Sequence, residues 1–281
     1  ILKFNFMVRR VEGGKFDFRD FGEDGSAFER AVFGDSNGYL VEKVVRDLEN
    51  ADPKYREALQ SGNRMDKKTE RGVLLAVKEK WDKEWDRALE KYDMKMKKWR
   101  EGGKRGPEPE IKYPDSSDPE KPFANDLRYL IEMLTGGLET SFYSTIGNDN
   151  KIDRKGIDAF IFCSGELVTL DATIGASHKQ THEDTRSEVV ILRGREVQDY
   201  DERAKVISRR GTQPIWRDID APEIPNSYLE GILEATERIV DTLQQKGVVL
   251  KPLDPEDKKI LQTLYQRAGL SFPTFTRDQA A

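Results

Sequence analysis

The chain carries one cysteine, Cys163, and two histidines, His178 and His182, among its 281 residues. A single thiol excludes any intrachain disulfide and agrees with a reducing compartment. No segment approaches the roughly 20 consecutive apolar residues that a membrane-spanning helix needs. No secretory signal is visible, although the sequence opens on Ile1 without a methionine, which is compatible with a removed leader or a boundary segment. The expected setting is the cytoplasm, with no membrane partner.

Charge of one sign is also in short supply. The net charge is −5, with 35% charged and 36% hydrophobic residues, which argues against a protein that coats nucleic acid nonspecifically. The average hides an asymmetry. Between Arg64 and Arg105 stand fifteen Lys or Arg against nine Asp or Glu, leaving about −11 on the remainder. An acidic body with one basic arm suits a protein in which cations hold phosphates while acids hold a metal.

Proline is absent from residues 66–100, and glycine occurs there only as Gly72. Leu74, Val77, Trp81, Trp85, Ala88, Tyr92, Met96 and Trp99 recur by threes and fours, which predicts one long amphipathic helix with an aromatic stripe. Glu79 to Lys83 and Asp93 to Lys97 stand in the favourable order for i,i+4 pairs. The stripe has two readings: it packs on the body or on a copy of itself, or its Trp and Lys residues meet a nucleic acid.

Alternating apolar residues predict a hairpin over 1–21 and strands over 141–146, 157–163, 166–174, 188–192 and 213–219. Helical spacing predicts helices over 26–33, 39–48, 123–134 and 200–210, then over 227–245 and from Pro255 to the stop at Gly269. Residues 107–122, rich in Gly, Pro, Ser and charge, read as a linker. The expected division is 1–63, a hairpin with helices; 64–106, the long helix; 107–122, the linker; 123–222, the sheet-bearing core; and 223–281, helical support.

The most informative stretch is 141–179. Two runs rich in β-branched and aromatic residues flank Ser164-Gly165, a turn that hairpins favour. Counting outward from that turn sets Cys163 opposite Glu166, Phe162 opposite Leu167 and Asp158 opposite Asp171. Directly opposed residues hold their Cβ atoms roughly 4.5–5.5 Å apart, and like charges at that distance repel. A shared divalent cation offsets the repulsion, as does a raised pKa on one carboxyl or solvation at a frayed hairpin end.

Gly156-Ile157-Asp158-Ala159 on one strand and Leu170-Asp171-Ala172-Thr173 on the next, preceded by a helix and a strand, resemble the PD-(D/E)XK nuclease-like superfamily. The resemblance implies an α+β fold: a restriction-endonuclease-like mixed sheet flanked by helices, here with the long charged helix inserted and a helical C-terminal extension. It implies a Mg-dependent (or Mn-dependent) nuclease in which Asp158 and Asp171 bind the metal, with the Ala172 carbonyl as a further ligand. Thr173 stands where the motif lysine belongs, so Lys179 is the candidate that activates water. Glu132, on the helix before the first strand, and Glu29, in a segment that looks like the family's first helix, are the candidates for an extra acid.

The partner implied is nucleic acid, DNA in the first instance, with Lys155, His178, Arg203, Arg209 and Arg210 as candidate phosphate contacts. His178 and His182, with Glu183 and Asp184 adjacent, have a zinc-like spacing. The glutamate between them and a remote third ligand are not evident, so a zinc hydrolase is not supported. Two further readings stand beside the nuclease: a catalytically inactive nuclease-like protein that binds nucleic acid or serves an assembly, reached through the 74–99 aromatic helix, and an α+β protein whose hairpin acids are merely solvated.

Overall fold

A computed structural model describes residues 29–30, 32–34, 38–61, 65–111, 115–117, 119, 121–147, 151–152, 156–173, 187–192 and 226–277. Among them form α1 (Gly38–Ala51), α2 (Pro53–Gln60), α3 (Lys67–Glu101), α4 (Pro122–Leu134), β1 (Thr140–Ser144), β2 (Ala159–Cys163), β3 (Glu166–Thr173), β4 (Val189–Leu192), α5 (Asn226–Gln245) and α6 (Pro255–Ala268). The hairpin expected at 1–21, the helix at 200–210 and the strand at 213–219 lie outside the described residues.

The class is α+β, with one four-stranded mixed sheet in the order β1-β2-β3-β4. The first two pairings are antiparallel and β3–β4 is parallel. Ser164 and Gly165 both take positive φ, 50° and 88°, the type I′ turn whose twist matches that of the flanking strands. The register follows from it: Cys163 faces Glu166, Phe162 faces Leu167 and Ala159 faces Leu170.

Strand alternation then gives the sheet two buried faces. Phe142, Ile161, Leu170 and Ile191 enter one core with Leu127 and Ile131 of α4 and Ile232 and Ile239 of α5. Tyr143, Phe160 and Leu167 enter the other with Val41 and Val45 of α1 and Leu74, Val77 and Trp81 of α3. A strand buried on both faces reads as an unbroken apolar run, which is what Ala159–Cys163 is. Cys163 is fully buried in this strand, and burial pushes its thiol pKa up.

Caps set the helix limits. Asp66 accepts from the Lys68 and Thr69 amides to open α3, and Asp52 with Pro53 opens α2. At the end of α4, Gly136 takes φ 77°, its amide bonds to Met133 and the Gly137 amide bonds to Glu132, a Schellman stop. A Cβ on Gly136 would lie 2.5 Å from the Lys251 carbonyl oxygen, so glycine is required there for close approach as well as for φ.

The first half of α3 crosses the sheet. Arg71 grips the hairpin turn through Glu166 at 2.6 Å and the Gly165 carbonyl at 2.8 Å. Lys78 lies 4.5 Å over the Phe162 ring of β2. Trp81 meets Tyr143 of β1 edge-on at 5.4 Å, and the Tyr143 hydroxyl donates to Asp82 at 2.9 Å. Beyond Asp82 the helix runs on for about 28 Å at 1.5 Å per residue, past the β1 edge.

Side chains close the edge of β3 that lies ahead of its pairing with β4. The Thr169 amide donates to Glu188 at 3.2 Å and the Glu188 amide donates to the Thr169 hydroxyl at 3.0 Å. Lys246, just beyond α5, pairs with Glu188 at 2.7 Å and donates to the Leu167 carbonyl. Among the described residues no helix is long and apolar enough to cross a membrane.

Candidate functional site

Asp158 stands one residue before β2, at the open end of the hairpin. Its amide donates to the Leu170 carbonyl at 2.9 Å and its carbonyl accepts from the Thr145 amide at 2.8 Å, so its backbone is tied to both neighbouring strands. The paired register ends at Ala159–Leu170, and Asp158 lies just beyond it, at the end of the hairpin where β3 continues into Asp171 and Ala172. The Asp158 side chain is 2% exposed, and its Oδ2 accepts from the Ala172 amide at 2.7 Å. A carboxylate thus takes the place of the next rung of the ladder.

Asp171 lies within β3, its backbone paired to Val190 of β4. Its carboxyl shares a hydrogen bond with Asp158, and burial pushes its pKa up while that bond pulls it part of the way back. The physical cause is desolvation, which disfavours the charged form of a carboxyl withdrawn from water. A raised pKa at Asp171 has the direction of one of the offsets expected from the sequence, and its cause is burial.

The other candidates divide by position. Glu132 sits at the opposite end of the sheet, where it bonds Arg128 at 2.7 Å and accepts from the Thr140 amide at 3.1 Å. Thr140 pairs with Cys163 at the turn end of β2, about 16 Å along the strand from Asp158. Burial pushes the Glu132 pKa up, with Arg128 the first influence pulling it down. Glu132 therefore anchors α4 to β1 and does not join the acid pair.

Glu29 lies on a helical turn that ends at the Gly34 carbonyl, which accepts from the Ser144 hydroxyl at 2.5 Å. Phe33 of that turn packs 5.6 Å from Phe142. This brings the Glu29 turn to the same end of β1 as the acid pair, but on the sheet face that carries Phe142 rather than Tyr143. Among the described residues no group of three or more His, Cys, Asp or Glu stands close enough to hold a metal ion. The backbone of Thr173 pairs with Leu192. Lys155, His178, Lys179, Arg203, Arg209 and Arg210 lie outside the described residues.

Periodicity did not reveal the Ala172 amide as a ligand of Asp158, because a side chain replacing a ladder bond leaves no trace in residue spacing. It did not reveal a cavity of about 600 Å³ either, lined by Lys78, Asp82, Trp85, Ser116, Phe162 and Ser164 at the turn end of the sheet. That cavity does not include Asp158 or Asp171. Comparison with known proteins adds no assignment. No family model, curated protein or solved structure matches the chain.

Proposed function

We propose that the chain is a divalent-metal-dependent phosphodiesterase acting on nucleic acid, DNA in the first instance, built on a restriction-endonuclease-like core. One observation carries the reading: Asp158, one residue before β2, and Asp171, within β3, are neighbours at the open end of the hairpin, the Asp158 carboxylate accepting from the Ala172 amide next to Asp171. The order of elements supports it, since α4 directly precedes β1, the hairpin follows, and β4 returns beside β3.

The donor set fits the ion. Mg²⁺ and Mn²⁺ take oxygen ligands, and Mg²⁺ is usually held by one or two carboxylates with water and substrate phosphate completing the shell. Asp158 and Asp171 would hold it, with the Ala172 carbonyl as a third oxygen. When bound, the ion polarises a phosphoryl oxygen and lowers the pKa of a water.

The protein's own part is positioning and proton release. Asp158 is fixed by two backbone bonds and one side-chain bond, so its carboxylate needs no reorganisation. Burial biases the Asp171 carboxyl toward its protonated form, so holding the ion there would release a proton. Lys179 then orients or deprotonates the attacking water in place of the residue at 173.

A second reading has its own support. Thr173 occupies the motif-lysine position, and one oxygen of Asp158 is already engaged by the Ala172 amide, which favours a nuclease-like protein that binds nucleic acid without cutting it. Two measurements separate the readings. Calorimetric titration of Mn²⁺ should give heat with wild type and none with Asp171→Ala; equal heats in both remove the metal site. Incubation of plasmid and single-stranded substrates with Mn²⁺ should yield cleavage that Lys179→Ala reduces at least about tenfold, within the range of lost acid–base catalysis. Metal binding without cleavage selects the second reading.

A further inference from the structure

The charges of α3 change character part-way along the helix. In the stretch that crosses and leaves the sheet, the cations are paired: Lys78 with Asp82 at 2.7 Å, Lys80 with Glu84 at 3.1 Å, Lys83 with Glu79 at 2.5 Å and Arg87 with Glu84 at 2.8 Å. From Lys91 onward the pairing stops. Lys91, Lys95, Lys97, Lys98, Arg100, Lys104 and Arg105 are all exposed, only Asp93 and Glu101 stand among them, and among the described residues none of the seven pairs with a carboxylate. Even Asp93 and Lys97, in favourable order, do not close.

Lys91, Lys95 and Lys98 stand at i, i+4 and i+7 on one side of the helix. Like charges at that spacing oppose helix formation, so the sequence tolerates a local cost that the proximal half avoids. The chain then folds back, with the Trp99 indole N–H donating to the Gly106 carbonyl at 3.2 Å and Lys104 5.9 Å over the Trp99 ring. The fold-back adds Lys104 and Arg105 to the same tip.

Two polyanions meet such a surface, a nucleic-acid backbone and an anionic bilayer. An interfacial helix needs an open apolar face beside its cations. Here Met96, in the middle of the apolar stripe, is 6% exposed; the exposed apolar residues Leu89 and Met94 stand five apart, about 140° around the helix, and so form no shared face, and Lys97 and Arg100 place charge on other sides of the helix. Charge clusters at one end of a rod rather than along one flank of it.

We infer that the distal end of α3, from Lys91 to Arg105, is a nucleic-acid docking arm that neutralises backbone phosphates at a distance from Asp158 and Asp171. This rests on the nucleic-acid reading above but not on the metal or on cleavage. The arm leaves the sheet at β1 from the turn end, so a substrate reaching both places is a long one, and the contact carries no base specificity.

The test uses the full chain in EDTA, where no cutting occurs. Binding of a fluorescein-labelled duplex of about 30 base pairs is followed by anisotropy between about 50 and 200 mM salt. The triple variant Lys91→Gln/Lys95→Gln/Lys98→Gln should bind at least about tenfold more weakly at the low-salt end, and the slope of log affinity on log salt should fall by about 2–3, near 0.9 per lost phosphate contact. The control Lys80→Gln/Lys83→Gln, which removes paired cations, should leave both unchanged. Lys97→Gln/Arg100→Gln should give a smaller loss in the same direction and serves if the triple variant fails to fold. Unchanged affinity and slope overturn the inference. So does a variant that loses binding to phosphatidylserine vesicles while holding the duplex as before. Failure of metal binding or cleavage leaves this result standing, and loss of the arm's effect leaves the carboxylate site standing.

Discussion

Asp171 sits where two demands on one side chain conflict. Its backbone is paired to Val190 of β4, while partial burial pushes the pKa of its carboxyl up. The folded protein therefore keeps this proton to a higher pH than the unfolded chain does. That contribution to stability is present at low pH and is lost as pH rises through the raised folded pKa. Asp171→Asn retains an amide able to meet Asp158 without the charge. It should raise the melting temperature at pH 8 in EDTA by roughly 2–4 °C, the shift that about 1 kcal/mol produces in a chain of this size, and should have little effect at pH 4. A variant less stable than wild type at pH 8 would show that the charged pair is better tolerated than its burial implies.

Among the elements, α3 separates packing from display along a single uninterrupted helix. Its first half shares a core with Val41, Val45 and Phe160; its second half carries Trp99 only partly covered. Trp81→Ala should cost about 3–5 kcal/mol, the usual penalty for emptying a buried aromatic site, whereas Trp99→Ala should cost less than about 1 kcal/mol. Urea melts of the two variants measure both. The sequence announced this helix through its periodicity and its missing prolines, yet the same spacing runs from Leu74 to Trp99, so nothing in it marks where the body ends. The hairpin was more legible, because Ser164-Gly165 fixes a register that alternation then carries to both faces. α2 was missed although Asp52-Pro53 holds a cap and a first-turn proline. The Glu188 and Lys246 closure of β3 was not legible at all: its partners lie 58 and 79 residues apart in sequence, and no local pattern records such a contact. The placement of Glu132 failed for a related reason. Being next to β1 in sequence says nothing of which end of the strand a helix residue reaches.

For the whole molecule, the proposed metal reading predicts that stability depends on both protons and divalent ions through the acid pair. An ion that binds only the folded state stabilises it by about 2.7 kcal/mol at a concentration of 100 times its dissociation constant. Protons compete for the same oxygens, so the gain in melting temperature from MnCl₂ should be larger at pH 8 than at pH 5 and should vanish in Asp171→Ala. An equal gain at both pH values would place the ion elsewhere. The buried thiol adds an independent view of the same equilibrium. Cys163 lies on an inner strand, sealed from both faces, and it has no second cysteine to confuse a readout. Alkylation of this one sulfur can proceed only when the strands part. The rate of its modification is a built-in clock for how often the middle of the protein opens, and it can be timed with and without the ion, in intact chains and without an added label.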